Sequence, residues 1–284
     1  MATYQNAEVI RDDQRGGKRL YRIRFDGGET LEDFWSVTTL CDGLPKESLV
    51  HWARYGVTDG VIDELPYWQA ELERWGREET RKRMADLPYS RRQKAADVGT
   101  LVHKQIEAHI LGEAAPPVPA EHAERVHAMV EQFRRFEADY CPEWLASELT
   151  VCHTQHRWAG TLDGIVKLHC GPQERTLLLD AKTTNPMKNG SPGVYLEHAC
   201  QVAAYRHAEY AITRDAGDVI PMPETEGGVV LWLNPDRYAL VEVQADAAMY
   251  RLFRLAAEIW VATDSQRTGW YLMGEIAPPK KEAA

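Results

Sequence analysis

Apolar and polar positions alternate with a period of two at the start of the chain, and the period becomes helical after Pro45. AEVIRDD, a turn at RGGK, RLYRIRF, a turn at DGGE, and DFWSVTTL read as successive hairpin strands. From Lys46 to about Leu65 the spacing predicts a helix that Pro66 breaks. A second helix is expected from about Tyr67 to Ala85 and a third from about Arg91 to Leu111. GEAAPPVPAE is a proline-rich loop, and a helix from about Ala120 to Tyr140 follows. WLASELTVCHTQ, WAGTLDGIVKLHC and RTLLLDAKTT then read as three consecutive strands, rich in Leu, Val, Ile and Thr. NPMKNGSPG is a turn-rich loop, Glu197 to Arg214 a helix, GGVVLWLN and YALVEVQ two strands, and Ala245 to Thr263 the last helix.

This order predicts one α/β or α+β domain over 1–284. Within it we expect hairpins over 1–44, a helical region over 45–140, a core of sheet and helices over 141–276, and a mobile tail over 277–284. Hydrophobic residues make up 44% and charged residues 27%, which suits a globular chain with a sizeable core. No apolar run is long enough to span a bilayer, and MATYQNAEVIRDD lacks the basic-then-apolar pattern of a secretory signal. A cytoplasmic location without membrane association is therefore expected. The five cysteines are odd in number and widely spaced, with no CxxC, so neither a disulfide framework nor a thiolate-held metal is expected.

The net charge of −10 counts against a general nucleic-acid binder. Between Arg74 and Lys94, however, eight basic residues (Arg74, Arg77, Arg81, Lys82, Arg83, Arg91, Arg92 and Lys94) stand against three acidic ones. That segment reads equally as a phosphate-tracking surface or as a solvated helix face with internal ion pairs.

Four segments carry chemistry as a set. In LLLDAKTT an apolar strand ends in Asp180, one spacer and Lys182, which share a face because side chains alternate. The carboxylate suits a hard divalent cation, and the lysine suits orienting a water or offsetting phosphate charge. In AGTLDGIV, Asp163 interrupts an apolar strand between Gly160 and Gly164, where a buried acid needs a partner or a metal and the glycines admit a close backbone approach. In GTLVH, His103 sits one helical turn before Glu107 and offers an imidazole nitrogen to a transition metal. In QVAAY, Gln201 and Tyr205 share a helix face. Taken singly, each also reads as a surface ion pair, a tight turn, a packed helix residue or a helix boundary. Cys152, His153 and His156 form a weaker zinc reading, because adjacent strand residues point to opposite faces.

In this order, GxxxH, GxxD, DxK followed by Thr-Thr, and QxxxY resemble the RecB-like branch of the PD-(D/E)XK nucleases, which includes CRISPR-associated RecB-like exonucleases and phage exonucleases. Ser36-Val37-Thr38-Thr39, with Leu49-Val50-His51-Trp52-Ala53 downstream, is similar to the opening of phage and mitochondrial genome-maintenance exonucleases of the same superfamily. The resemblance spans about Ser36 to Tyr205 and implies a restriction-endonuclease-like core, a central mixed sheet flanked by helices, preceded by a helical region. It implies a metal-dependent DNA exonuclease in phage-type replication, recombination or repair, in a bacterial host cytosol if phage-encoded. Asp163, Asp180 and His103 would hold one or two Mg²⁺ or Mn²⁺ ions, Glu148 would be the family's additional acid, and Lys182 would be the catalytic lysine. Gln201, Tyr205, Thr183 and Thr184 would lie against DNA that is single-stranded or has a free end. Several relatives carry four cysteines around an iron–sulfur cluster; this chain lacks that set, so no cluster is expected. A helical wall over 46–111 could offer Trp52, Trp68, Trp75 or Tyr89 to stack on bases, although helix packing is the better reading for most of them. A structure-specific endonuclease or nickase on the same scaffold, a non-catalytic nucleic-acid-binding module, and a hydrolase of other phosphate esters remain as rivals. A ring-shaped homo-oligomer is compatible with the sequence but not demanded by it.

Overall fold

The computed structural model describes residues 4–15, 18–170, 173–185 and 189–264. The tail expected from Ala277 lies outside them, as do the side chains of Leu49, His51, Trp52, Arg91, Arg92 and Lys94.

The alternating N-terminal pattern forms an antiparallel meander of β1 (Ala7–Arg15), β2 (Lys18–Phe25) and β3 (Glu32–Ser36). Its inward positions, Tyr21, Ile23, Phe25 and Phe34, bury a small cluster with Ala7 and Tyr210. The third strand was expected to run on through Leu40, and it does not. Ser36 Oγ accepts a hydrogen bond from the Thr39 N–H, which caps α1 (Val37–Leu40), and a 3-10 turn follows at Cys41–Gly43. An N-cap serine converts the chain to helix despite the β-branched residues after it.

Helix α2 spans Glu47–Asp63 and α3 spans Leu65–Leu111. The expected gap between a second and a third helix is absent, since Pro88 lies inside α3. The break falls at Gly76 instead, at φ 73° and ψ 173°, a conformation glycine adopts without a Cβ penalty. The Thr80 hydroxyl donates to the Glu71 carbonyl at 3.1 Å, nine residues back, and Arg83 pairs with the Glu71 carboxylate at 2.7 Å. A straight helix would hold those residues about 13 Å apart, so the chain doubles back at Gly76. Helix α4 follows at Ala120–Tyr140.

Strands β4 (Glu143–His153), β5 (Trp158–Cys170) and β6 (Gln173–Thr183) form the antiparallel centre of the sheet. Helix α5 (Leu196–Arg206) crosses over to β9 (Gly227–Leu233), which runs parallel to β6 and pairs with β10 (Tyr238–Val243). The helix expected to reach Arg214 thus stops at Arg206. Tyr210–Ile212 forms β7, which pairs with β4 and with β8 (Val219–Pro221). All three residues of β7 are buried, and an edge of β4 was available to satisfy their backbone. Helix α6 (Ala247–Asp264) closes the described chain.

The result is a mixed α/β fold with a mostly antiparallel central sheet. Helices α3 and α4 bury Val98, Val102, Met129 and Phe133 against Leu177, Leu179 and Leu231 on one face. Helices α1, α5 and α6 bury Leu40, Val202, Phe253 and Trp260 against Leu162, Ile165 and Leu178 on the other. Strand β6 is covered on both faces, which explains its unbroken Leu177-Leu178-Leu179 run. One edge of β5 pairs with β3 at Trp158 and Ala159, then with β6 from Gly164 onward. Among the described residues, Gly160–Asp163 has no strand partner on that edge, so β5 and β6 diverge at Asp163. No helix among the described residues is long and apolar enough to cross a membrane.

Candidate active site

The divergence of β5 from β6 is where the motif residues gather. Continued one step, the register that pairs Gly164 with Leu179 would set Asp163 opposite Asp180. Instead the Asp163 side chain replaces the missing strand partner, its Oδ2 accepting from the Ala181 N–H at 2.6 Å. Its other oxygen faces His103 Nδ1 at 3.4 Å, so α3, β5 and β6 meet at one carboxylate. Asp180 and Lys182 share the next face of β6, with Lys182 Nζ 2.5 Å from Asp180 Oδ2. The Asp180 side chain is 2% exposed, and Oδ2 has no aligned hydrogen-bond donor despite that ion pair. The distance shows proximity and the missing alignment shows an unsatisfied lone pair.

Electrostatics bind the set together. Burial works against ionised Asp163, but His103, Lys182 and the Ala181 N–H outweigh it and hold the group below the usual carboxylate range. Burial pushes the Asp180 carboxyl up against the pull of Lys182, and Asp163 adds to that push. Burial also disfavours charged Lys182, yet Asp180 and Asp163 prevail and hold it protonated. Burial likewise opposes charge on His103, and Asp163 raises its pKa nonetheless.

Glu148 comes from β4 on the opposite side of Asp163. Its φ of 53° lies in the left-handed region, a strained conformation for a non-glycine residue. Burial, then Asp163 and Glu107, push its carboxyl up to about 7. His103, Glu107, Ser147, Glu148 and Asp163 line one cleft on the α3 face. Glu107, one turn from His103, bonds to Arg214 Nη1 at 2.8 Å.

The glycines of the motifs serve close packing of protein against protein. A Cβ at Gly99 would lie 2.7 Å from Thr183 Oγ1, so this glycine lets α3 seat His103 over the end of β6. A Cβ at Gly164 would meet the Trp144 ring at 2.6 Å, and one at Gly160 would meet the Tyr205 hydroxyl at 2.8 Å. The expectation that Gly160 and Gly164 admit a ligand is corrected on this geometry, since aromatic rings fill both places.

The residues expected against DNA divide. Gln201 Nε2 donates to the Tyr205 hydroxyl at 3.0 Å, and Tyr205 is 2% exposed, so it braces β5 from beneath and presents no surface to a strand. Thr184 Oγ1 donates to the Gly193 carbonyl at 3.0 Å and accepts from Trp232 Nε1 at 2.6 Å. Its only donor is committed, which removes it from phosphate contact. Thr183, half-buried beside Gly99, keeps its place at the end of β6.

Trp68 is buried and its Nε1 donates to the Gly60 carbonyl at 3.2 Å, which is helix packing. Trp75 and Tyr89 are exposed, and Arg74 and Arg83 lie 4.8 and 4.6 Å from the Trp75 ring centroid. His153 and His156 stack at 4.0 Å, with the His156 N–H donating to His153 Nδ1.

Two observations bear on a divalent ion. Among the described residues, no three His, Cys, Asp or Glu side chains converge on one point at ligating distance. Asp180 is turned to Lys182, and His103 is turned to Asp163. The donor set nevertheless fits such an ion. Carboxylate oxygens and one imidazole are its ordinary ligands, and the two buried acids repel each other, which a cation between them would offset.

No family model matches this chain, and no curated protein matches it. Solved structures do. One, described as "Crystal structure of SSO0001", is 15% identical over 60% of this chain and 89% of that one, with a TM-score of 0.30, a superposition too loose to carry an argument.

Proposed function

We propose that the chain is a divalent-metal-dependent nuclease of the PD-(D/E)XK type, acting on DNA and working as an exonuclease. The observation that carries this reading is the placement of His103, Asp163, Asp180 and Lys182 by α3, β5 and β6 around a gap in the sheet. It is joined by the burial of Asp180, whose carboxylate is held from water against Lys182. The order of helix, three consecutive strands, crossover helix and parallel strand is in keeping with the core that the motif resemblance implies.

Asp163, Asp180 and His103 would hold the ion, with Glu148 beside them. When bound, Mg²⁺ or Mn²⁺ supplies Lewis-acid polarisation of the phosphate and lowers the pKa of a water. Asp180 and Asp163 favour the ammonium form of Lys182 against the cost of its burial, which suits a hydrogen-bond donor. Its Nζ–H groups orient the attacking water and offset charge building on the phosphate oxygens. His103 is held in orientation by the Asp163 oxygen that faces Nδ1. Gln201 and Tyr205 act at one remove, as positioning residues that set the course of β5 three residues before Asp163.

End-labelled single-stranded linear DNA and a closed circle, incubated with Mn²⁺, Mg²⁺ or EDTA, test the reading. Metal-dependent loss of the linear substrate alone, abolished by Asp180→Asn, is the expected result. Cleavage of both substrates assigns an endonuclease. Cleavage that persists in EDTA rejects the metal-dependent mechanism, and cleavage of neither substrate rejects the nuclease.

A further inference from the structure

Glu107, which lines the cleft beside Asp163, is paired with a cation that the reaction above does not use. Arg214 lies in the β7–β8 connection, which turns back through Thr213 and Gly217. Its Nη1 pairs with Glu107 of α3 at 2.8 Å and lies 3.7 Å from Glu113, just past the end of that helix, so the guanidinium is held from two places. The Arg214 side chain is 44% exposed. It lies within electrostatic reach of Glu148, which lines the cleft with His103 and Asp163. Both acids engage the same nitrogen, Nη1, of a guanidinium that has five N–H donors.

We propose that Arg214 is a phosphate subsite that grips the DNA backbone next to the scissile phosphate. The inference rests on the nuclease reading. A chain with net charge −10 and an acidic cleft repels a polyanion unless fixed cations meet it. Lys182 is taken up by the reacting centre beside Asp180. Arg214, paired with an acid that lines this cleft, is anchored and still exposed, and a guanidinium fork matches two phosphate oxygens. The Glu107 and Glu113 contacts fix its orientation, so little side-chain entropy is lost on binding. A role limited to neutralising Glu107 and Glu148 predicts something different, because removing the positive charge would then tighten the metal and leave DNA affinity alone.

The test compares wild type, Arg214→Lys and Arg214→Gln with a single-stranded oligonucleotide of about twenty nucleotides. Turnover is followed across Mn²⁺ and salt concentration, and binding is measured separately in EDTA. For Arg214→Gln we expect KM to rise about tenfold, kcat to stay within about twofold, and the log-affinity versus log-salt slope to fall by about one. Arg214→Lys should restore the slope and recover KM only in part, since it keeps the charge but not the fork. An unchanged KM and slope overturn the subsite. So does an effect that appears only in the Mn²⁺ half-saturation or the melting temperature, which would assign Arg214 to neutralisation or structure. A wild type that neither binds nor cleaves the oligonucleotide rejects the nuclease reading and the subsite together, whereas wild-type cleavage with indifferent variants rejects the subsite alone.

Discussion

Gly160 lies beneath the ring of Tyr205, so closely that a Cβ at residue 160 would come within 2.8 Å of the tyrosine hydroxyl. The glycine of one motif is therefore the seat of the tyrosine of another, and the pair fixes the path of β5 into Asp163. Gly160→Ala should lower stability by about 1–3 kcal/mol through overpacking and reduce kcat by tilting Asp163. Urea denaturation beside initial rates checks this. Tyr205→Phe keeps the ring and loses only the bond to Gln201, so it should cost less on both measures. A Gly160→Ala protein with unaltered rate would remove Tyr205 from the positioning role.

The buried acids predict how the fold answers a metal. An ion held by Asp163, Asp180 and His103 binds the folded state only. At about a hundred times its Kd it should stabilise the fold by about 2.7 kcal/mol. Thermal melts with and without Mn²⁺ should show the rise in wild type and its loss in Asp163→Asn and Asp180→Asn. Lys182→Ala should keep a metal-induced rise while losing about 10²–10³ in kcat, because the lysine contributes charge stabilisation and no ligand.

Glu148 gives a pH signature in the metal-free protein. Its carboxyl is raised from about 4.5 to about 7, so folding disfavours the ionised form. The folded state holds the proton more tightly than the unfolded chain does. Stability should therefore fall as pH rises from about 4.5 through about 7 and level off above. Glu148→Gln removes this slope, so its excess stability over wild type should grow across that window. Denaturant melts at pH 5, 6, 7 and 8 check it, and a constant difference would mean Glu148 is not under strain in the cleft.

Much of this fold was legible because strand and helix periods are strong where both faces or one stripe are buried. Strand β5 and α4 have the bounds their apolar patterns predict, and LLLDAK reads as a covered strand ending in charge. The failures have physical causes. Val37–Leu40 has strand composition but takes its conformation from the Ser36 cap. Pro88 is tolerated inside α3, and the true break falls at Gly76. Strand β7 reads as a continuation of α5 because three apolar residues carry no period of their own, and only the free edge of β4 decides. In the site, order along the chain pointed to His103, Asp163, Asp180 and Lys182. It could not show that the motif glycines receive Thr183, Tyr205 and Trp144, or that Arg214 reaches Glu107, because these contacts join segments distant in sequence.

Thr184 separates a structural from a catalytic role for the Thr-Thr pair. Its hydroxyl accepts from Trp232 Nε1 at 2.6 Å and donates to the Gly193 carbonyl at 3.0 Å, tying the end of β6 to β9 and to the loop before α5. Thr184→Val keeps the shape and leaves a buried indole N–H and a carbonyl unsatisfied. It should cost about 1–3 kcal/mol and shift tryptophan emission, while kcat changes little at a temperature where the variant is folded. Thr183→Val leaves those bonds intact and alters only the hydroxyl facing Gly99, one residue after Lys182, so its loss should appear in rate and not in stability. Matched urea melts and initial rates decide between the two. If Thr184→Val were as stable as wild type but slow, its hydroxyl would be serving the substrate after all.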